Sequence, residues 1–233
     1  MQLSKRLLAC CSFVRPGDRV ADVGCDHGYL SIHLLKNGIA SSVIASDINQ
    51  GPLKSAVANA EKYDVIDHIR FYISDGVVSI PREFDCMICA GMGADTMISI
   101  LQAAPWLKNP SYRMILQCQS KTPMLRQYLS DNGWTIAKEM VVRDGRFLYT
   151  VMEVHFAPDA DRLTIGQTHF TSALLEQKDE ETAEYYQRLL FSLRRAINGR
   201  GENADPNMIA ALKELEPLEA DHTWLKEATT WQP

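Results

Sequence analysis

Short apolar runs alternate with amphipathic segments along the first two thirds of the chain. Runs of five or six residues predict strands, and apolar residues recurring every three or four positions predict helices. Strands that alternate with helices are typical of a doubly wound parallel sheet in an α/β fold. The predicted strands are residues 19–23, 42–47, 69–73, 84–89 and 112–117, and the predicted helices are residues 3–14, 29–37, 52–63, 95–104 and 122–132.

Two further apolar segments, residues 134–142 and 147–156, follow this alternation. Residues 143–146 join them and contain Asp-Gly, which is a preferred hairpin turn. We therefore expect an antiparallel pair of strands at the edge of the sheet. The first domain is predicted to end with this hairpin, at residue 157.

Residues 158–233 are predicted to form a second, helical domain, because Pro158 breaks the earlier pattern. The glycines of residues 198–201 are typical of a helix end, and Asp205-Pro206 is typical of a new start. We expect an antiparallel helical hairpin that packs on the first domain or on a substrate. A dimer zipper is less favoured, because the apolar stripe along the first of these helices is short for a coiled coil. The apolar stripe of its first helix consists of Leu174, Leu175, Thr182, Tyr185, Leu189, Leu193 and Ile197.

Residues 20–30, VADVGCDHGYL, carry the clearest functional signal. They predict a buried strand, a turn between Gly24 and Gly28, and a helix. Such a turn places backbone N–H groups beside the carboxyl end of a strand, where open α/β sheets bind ligands. A dinucleotide-binding turn has glycine at the middle position, but here Asp26 would repel a phosphate. An anionic dinucleotide is therefore disfavoured.

Acidic residues recur at the ends of successive predicted strands: Asp22, then Asp47, then Asp75 before Gly76, then the segment AGMGAD of residues 90–95. A single aspartate in such a place is most often a turn former or a helix cap. Four sites at one sheet edge favour a shared pocket for a cation. S-adenosylmethionine (SAM) carries an ammonium and a sulfonium, and Asp47 is placed to accept hydrogen bonds from its ribose.

Together these motifs resemble those of a known protein family. VADVGCDHGYL, ASDIN, the SDG of residues 74–76 and AGMGAD resemble the bacterial TrmK family over nearly the whole chain. The resemblance implies a class I SAM-dependent methyltransferase, Rossmann-like and cytoplasmic, that methylates N1 of the adenine at tRNA position 22. SAM is then the cofactor and tRNA the partner. The chain departs from the family pattern at Ala94, where a glycine is usual, and at Cys118-Gln119, where Pro-Asn is usual.

The motifs also indicate which residues form the site. Asp26 or His27 is expected to accept a proton, although His27 could equally cap the helix. Tyr29, Asn59, Met92 and Gly93 are expected at the adenine, although Asn59 could equally face solvent. The segment AGMG replaces the Asn/Asp-Pro-Pro-aromatic motif of many amino-methyltransferases, which favours a ring nitrogen as acceptor. The expected SAM-binding residues are Asp22, Gly24, Cys25, Asp26, Gly28, Asp47, Ile48, Asp75, Gly76, Ala90 and Gly91.

Charge indicates where tRNA could bind. Residues 170–233 contain seven Lys/Arg and twelve Asp/Glu, so residues 1–169 contain 17 of each and the whole chain has a net charge of −5. Binding of nucleic acid depends on local patches rather than on the total. The helix at residues 3–14 could touch RNA, but we expect it to cap the sheet. Four arginines, which could instead complement the helix dipole, are candidates for contacts with the tRNA backbone: Arg188, Arg194, Arg195 and Arg200.

Composition limits the remaining possibilities. With 46% hydrophobic and 23% charged residues, the 233-residue chain is typical of a soluble globular protein, with no apolar run long enough for a membrane span. Six cysteines without a disulfide framework favour the cytoplasm, and the CxxC of Cys86 and Cys89 lies in a strand, so no metal is expected. We expect a monomer. The alternative functions are an inactive adaptor that binds SAM and RNA and, less favoured, an NAD-dependent dehydrogenase.

Overall fold

A seven-stranded sheet forms the centre of this protein, whose computed structural model describes residues 3–226. The strand order is β3-β2-β1-β4-β5-β7-β6. The first five strands of that order are parallel, and β7 runs antiparallel to both of its neighbours. The strands are β1 (Asp18–Val23), β2 (Ala40–Asp47), β3 (Ile69–Ile73), β4 (Cys86–Met92), β5 (Arg113–Cys118), β6 (Trp134–Asp144) and β7 (Phe147–Phe156).

Helices cover both faces of this sheet, because most of its strands are apolar on both sides. One face packs against α1, α2 and α3, and the other packs against α4 and α5. The doubly wound α/β fold predicted from the sequence is confirmed. These five helices are α1 (Lys5–Ser12), α2 (Tyr29–Lys36), α3 (Gln50–Lys62), α4 (Ala94–Ala103) and α5 (Thr122–Asp131).

The edge hairpin is present, but its predicted turn is wrong. Pairing continues to Asp144 opposite Phe147, so only Gly145 and Arg146 connect the two strands. Gly145 has a φ of 63°, which suits the first position of a two-residue turn that begins with glycine. The hairpin is therefore longer and its turn tighter than the Asp-Gly signal indicated.

Within residues 157–226, five α-helices follow the sheet, and they form their own apolar core against Val141 and Leu148 of the hairpin. The prediction of one helix for the apolar stripe from Leu174 to Ile197 is wrong. The chain breaks at Lys178 (φ 50°), and Asp179 caps a new helix. The predicted helix end and the start at Asp205 are confirmed. These helices are α6 (Ile165–His169), α7 (Ser172–Leu175), α8 (Glu180–Arg200), α9 (Pro206–Leu215) and α10 (Leu218–Asp221). Residues 227–233 of the predicted second domain lie outside the described residues.

A fully buried ion pair joins these helices to the sheet domain. The Nη2 atom of Arg126 in α5 lies 2.6 Å from Oε1 of Glu139 in β6, and neither side chain is exposed to solvent. Arg126 Nη1 donates to the carbonyl oxygens of Thr168 (3.0 Å) and His169 (2.7 Å), and Thr171 Oγ1 donates to Glu139 Oε2 (2.7 Å). Burial alone would lower the pKa of Arg126, but the charge of Glu139 raises it above its ordinary value. The α6–α7 segment is therefore fastened to the first domain.

We predict that Glu139→Gln destabilises the protein by about 3–5 kcal/mol, because the guanidinium of Arg126 would stay buried without a counter-charge. The measurement is urea unfolding followed by circular dichroism. Glu83→Gln is the matched control, since Glu83 pairs with Arg70 at an exposed site and its loss should cost about 1 kcal/mol or less. Equal losses in the two variants would contradict a structural role for the buried pair.

Candidate active site

A cavity of about 490 Å³ opens at the carboxyl ends of β1, β2 and β4. It lies where the strand order reverses between β1 and β4, which is where open α/β sheets bind ligands. The cavity gathers most of the residues predicted for the site. Those that line it are Asp22, Gly24, Cys25, Asp26, His27, Tyr29, Asp47, Ile48, Asp75, Gly76, Ala90, Gly91 and Met92.

The turn after β1 is shaped by its glycines and by backbone hydrogen bonds to β2. The N–H groups of Gly24 and Cys25 donate to the carbonyl oxygen of Ser46 at 2.8 and 2.9 Å. Gly24 has a φ of 73°, and a Cβ atom there would lie 2.3 Å from Cε of Met92. The end of the Met92 side chain could move aside, so the positive φ is what favours glycine at this position. Gly28 serves packing instead, because a Cβ there would lie 2.9 Å from Cβ of Ala56, and it does not line the cavity.

Asp22 is a buried acid at the bottom of the cavity, and Ser31 Oγ donates to its Oδ2 at 2.6 Å. Burial raises the pKa of Asp22 from 3.8 to about 6, the hydrogen bond from Ser31 opposes this, and the charge of Asp47 adds to it. Within residues 3–226, no Lys, Arg or His forms an ion pair with either Asp22 or Asp47. A bound cation would supply the missing counter-charge.

Asp47 connects the first two turns of the site. Its Oδ2 accepts from the N–H of Asp26 at 3.2 Å, and its Oδ1 accepts from the N–H of Asn49 at 2.8 Å. The first contact helps to hold Asp26 in the left-handed region, at a φ of 51°. This carboxylate therefore orders the cavity as well as facing it.

The end of β4 forms the opposite wall. Gln117, fully buried on β5, accepts two hydrogen bonds at Oε1, from the N–H of Gly91 (3.0 Å) and from Nη1 of Arg6 (3.1 Å). The Gly91 amide is therefore already engaged within the protein. Gly93 lies outside the lining, as the residue before α4.

The two departures from the family pattern fit this wall without disturbing it. Ala94 is fully buried at the first position of α4, where the backbone is helical, so a glycine is not required there. Cys118 is buried and its thiol donates to the carbonyl oxygen of Ser120, while the neighbouring Gln119 lines the cavity.

The predicted catalytic and substrate residues occupy different places. Asp26 and His27 lie together at the exposed rim, with Nε2 of His27 3.5 Å from Oδ1 of Asp26. The His27 and Tyr29 rings lie 6.0 Å apart. Asn59 does not line the cavity, but its Nδ2 donates to the carbonyl oxygen of His27 at 3.0 Å and so supports the turn.

The four arginines predicted to contact tRNA lie on α8, outside the cavity. Arg188 pairs with Glu184, and Arg194 pairs with Glu216 at 2.8 Å. In the part of the chain that the structure describes, Arg195 and Arg200 form no ion pair. They are thus the two members of the set whose charge is not met by a carboxylate.

Several residues that line the cavity carry no signal in the sequence pattern. Arg6 is the most informative, because the helical pattern of residues 3–14 placed it away from the apolar stripe without indicating what it would face. Nothing in the residues around Arg6 indicates that it faces a ligand. The packing of α1 on the sheet is what brings it to the cavity. The lining residues that were not predicted are Arg6, Leu7, Val23, Leu30, Asn49, Ser74, Thr96, Ile100 and Gln119.

No helix between residues 3 and 226 combines the length and the apolar character that crossing a bilayer requires. Over that range, no three His, Cys, Asp or Glu side chains meet as a group that could hold a metal ion.

Comparison with known proteins places this geometry in a family. A family profile described as a methyltransferase domain matches residues 3–152. A tRNA (adenine(22)-N(1))-methyltransferase of Bacillus subtilis is 31% identical over 153 residues, which cover 65% of this chain and 64% of that protein. The crystal structure of the B. subtilis m1A22 tRNA methyltransferase TrmK aligns with 97% of this chain and 98% of its own, at 27% identity and a TM-score of 0.75. The chain belongs to the TrmK family.

A second structure, from Streptococcus pneumoniae, was solved in complex with S-adenosyl-L-methionine. It aligns with 92% of this TrmK-family chain and 99% of its own, at 28% identity and a TM-score of 0.81. The predictions of a TrmK-family enzyme, of a class I methyltransferase fold and of SAM as cofactor are confirmed. The cavity suits that cofactor, because two buried carboxylates without a protein counter-charge match a ligand that carries an ammonium and a sulfonium.

We predict that Asp22→Asn changes the pH dependence of stability in the free protein. With its pKa at about 6 in the folded state and 3.8 ordinarily, Asp22 binds its proton more tightly in the folded state. Its contribution to stability is therefore lost as the pH rises from about 4 to about 6. Asparagine cannot ionise, so the variant should gain about 3 kcal/mol relative to wild type between pH 4 and pH 7.

Urea unfolding at pH 4, 5, 6 and 7 measures this difference. Ser31→Ala is the companion variant, because it removes the hydrogen bond that stabilises the ionised carboxylate. Because Asp22 remains in this variant, it should still lose stability as the pH rises, and the loss should be larger than in the wild type. A difference between Asp22→Asn and wild type that does not depend on pH would contradict the raised pKa.

Proposed function

We propose that this chain transfers a methyl group from SAM to N1 of the adenine at position 22 of tRNA. The observation that carries the proposal is the cavity at the switch point of the sheet, where Asp22 and Asp47 meet without a protein cation. Membership of the TrmK family supports the choice of tRNA and of the adenine. Segment AGMG at the end of β4 supplies no side-chain acceptor for an exocyclic amine, which favours a ring nitrogen.

SAM supplies, when bound, a methyl group activated by its positive sulfur. The chain's part is to bind, to orient and to exclude water. Asp22 and Asp47 provide the negative charge that holds the cofactor, and Asp75 with Gly76 completes that side. Met92 and Tyr29 give the adenine apolar contact, and the adenine must leave its stack to reach them. These assignments follow from position in the cavity.

A proton must leave the exocyclic amine of the adenine if the methylated ring is to become neutral. Asp26 and His27 lie at the rim, 3.5 Å apart, and can accept it there. Because both side chains are exposed, the accepted proton can pass to solvent. Asn59 acts indirectly, through its hydrogen bond to the backbone of His27.

The alternatives have less support. A dehydrogenase would need bare backbone where Asp26 places a carboxylate at the rim of the cavity. An inactive adaptor would bind SAM and tRNA without turnover. The methylation assay described below distinguishes it from an enzyme. The six cysteines are free and buried, and this together with a tRNA substrate fits a cytoplasmic protein. A monomeric state stays a prediction.

We predict methylation of adenine 22 in tRNA that lacks this modification. Purified protein is incubated with labelled SAM and such tRNA, and the labelled nucleoside is identified and mapped. The same tRNA with guanine at position 22 is the matched control and should remain unlabelled. Tight SAM binding without any labelled nucleoside would instead favour the adaptor.

We predict that only part of the α8 arginine set contacts tRNA. Arg195→Gln with Arg200→Gln should weaken tRNA binding and reduce its salt slope by about two, one for each lost phosphate contact. The matched control is Arg188→Gln with Arg194→Gln, because these two side chains already pair with Glu184 and Glu216. Filter binding of tRNA from about 50 to 200 mM salt measures both. An unchanged affinity and slope in the first variant would make these arginines ordinary solvated residues.

A further inference from the structure

The tip of the β6–β7 hairpin presents an aromatic ring to solvent. Phe147, the first residue of β7, has 50% of its surface exposed. The guanidinium of Arg146 lies 4.9 Å from the centre of this ring, and the Tyr149 ring lies 6.0 Å away on the same strand face. Among residues 3–226, no carboxylate forms an ion pair with Arg146. The tip therefore combines a ring face with an unneutralised positive charge.

This tip is held beside the cavity. Asp144, which pairs with Phe147 across the hairpin, has its Oδ2 3.6 Å from Nε of Arg6. Arg6 lines the cavity and also donates to Gln117, which binds the Gly91 amide. A short chain of contacts thus runs from the tip to the end of β4.

The opposite face of the hairpin is anchored as well. Arg143, the neighbour of Asp144, donates to the buried carboxylate of Glu184 on α8, with Nη2 2.5 Å from Oε2. With α1 on one face and α8 on the other, the position of the tip is set before any ligand binds. Its exposed ring is consequently preorganised, and a preorganised ring costs little entropy when a ligand stacks on it.

Folding does not account for the exposed ring. Phe147 belongs to none of the apolar clusters formed by residues 3–226, so it adds little to the core that the structure describes. Exposed aromatic rings next to arginine are, by contrast, the usual means of binding unpaired nucleotides, because every base has a face that can stack.

We propose that the hairpin tip binds an unpaired nucleotide of tRNA next to the target adenine. This inference rests on the proposed function. When the adenine leaves its stack to enter the cavity, its neighbour loses a stacking partner. Phe147 replaces that partner, and Arg146 meets the adjoining phosphate.

The test compares tRNA binding and methylation in variants of the full chain. Phe147→Ala should weaken tRNA binding roughly five- to a hundredfold. Phe147→Leu, which keeps an apolar side chain without a ring face, should also weaken it, and Phe147→Trp should restore it. SAM affinity by calorimetry and the single-turnover rate at saturating tRNA should stay near wild type in all three. Ile209→Ala, which changes another exposed apolar residue, on α9, is the matched control and should bind tRNA like wild type.

The outcomes separate this inference from the proposed function. Wild-type protein that binds tRNA but forms no methylated adenine would refute the proposed function, whatever the variants do. Active wild-type protein with unchanged tRNA affinity in both Phe147→Ala and Phe147→Leu would refute the inference alone. A change of oligomeric state on gel filtration of Phe147→Ala would also refute it, since the ring would then join copies of the chain.

Discussion

The central position of β1 is the constraint on which the rest of the site depends. Because β1 lies between β2 and β4 in a parallel sheet, the turns after these three strands open at one edge. Asp22, Asp47 and the end of β4 are far apart in sequence but meet there. The cavity is therefore a direct result of strand order, and side chains only determine which ligand it accepts.

The carboxylates of this cavity both shape it and select its ligand. Asp47 holds two turns through the backbone of Asp26 and Asn49, so its charge cannot be removed without affecting geometry. Asp22 is buried at a cost that its raised pKa reflects. An enzyme that joins a cationic cofactor to a polyanionic RNA must also keep these acids away from phosphate. Arg6 of α1 lines the same cavity and pairs with Asp144, which lies next to the hairpin tip that carries Arg146.

The C-terminal helices are part of the fold rather than a loosely attached arm. The buried Arg126–Glu139 pair, with its bonds to the backbone of Thr168 and His169, fixes the α6–α7 segment on the sheet domain. The α8 helix then supports the hairpin through Arg143 and Glu184. The same helix carries the exposed arginines.

The sequence by itself determined the order of strands and helices, the acidic strand ends and the family, because period, glycine turns and charge are local properties. It could not determine that Gly91's amide is bound by Gln117, that Arg6 reaches the cavity, or that Gly28 serves packing against Ala56. Those facts depend on contacts between residues distant in sequence. The break before Asp179 was missed for a related reason: apolar spacing continues across it, and only packing against the hairpin decides which helix buries each residue.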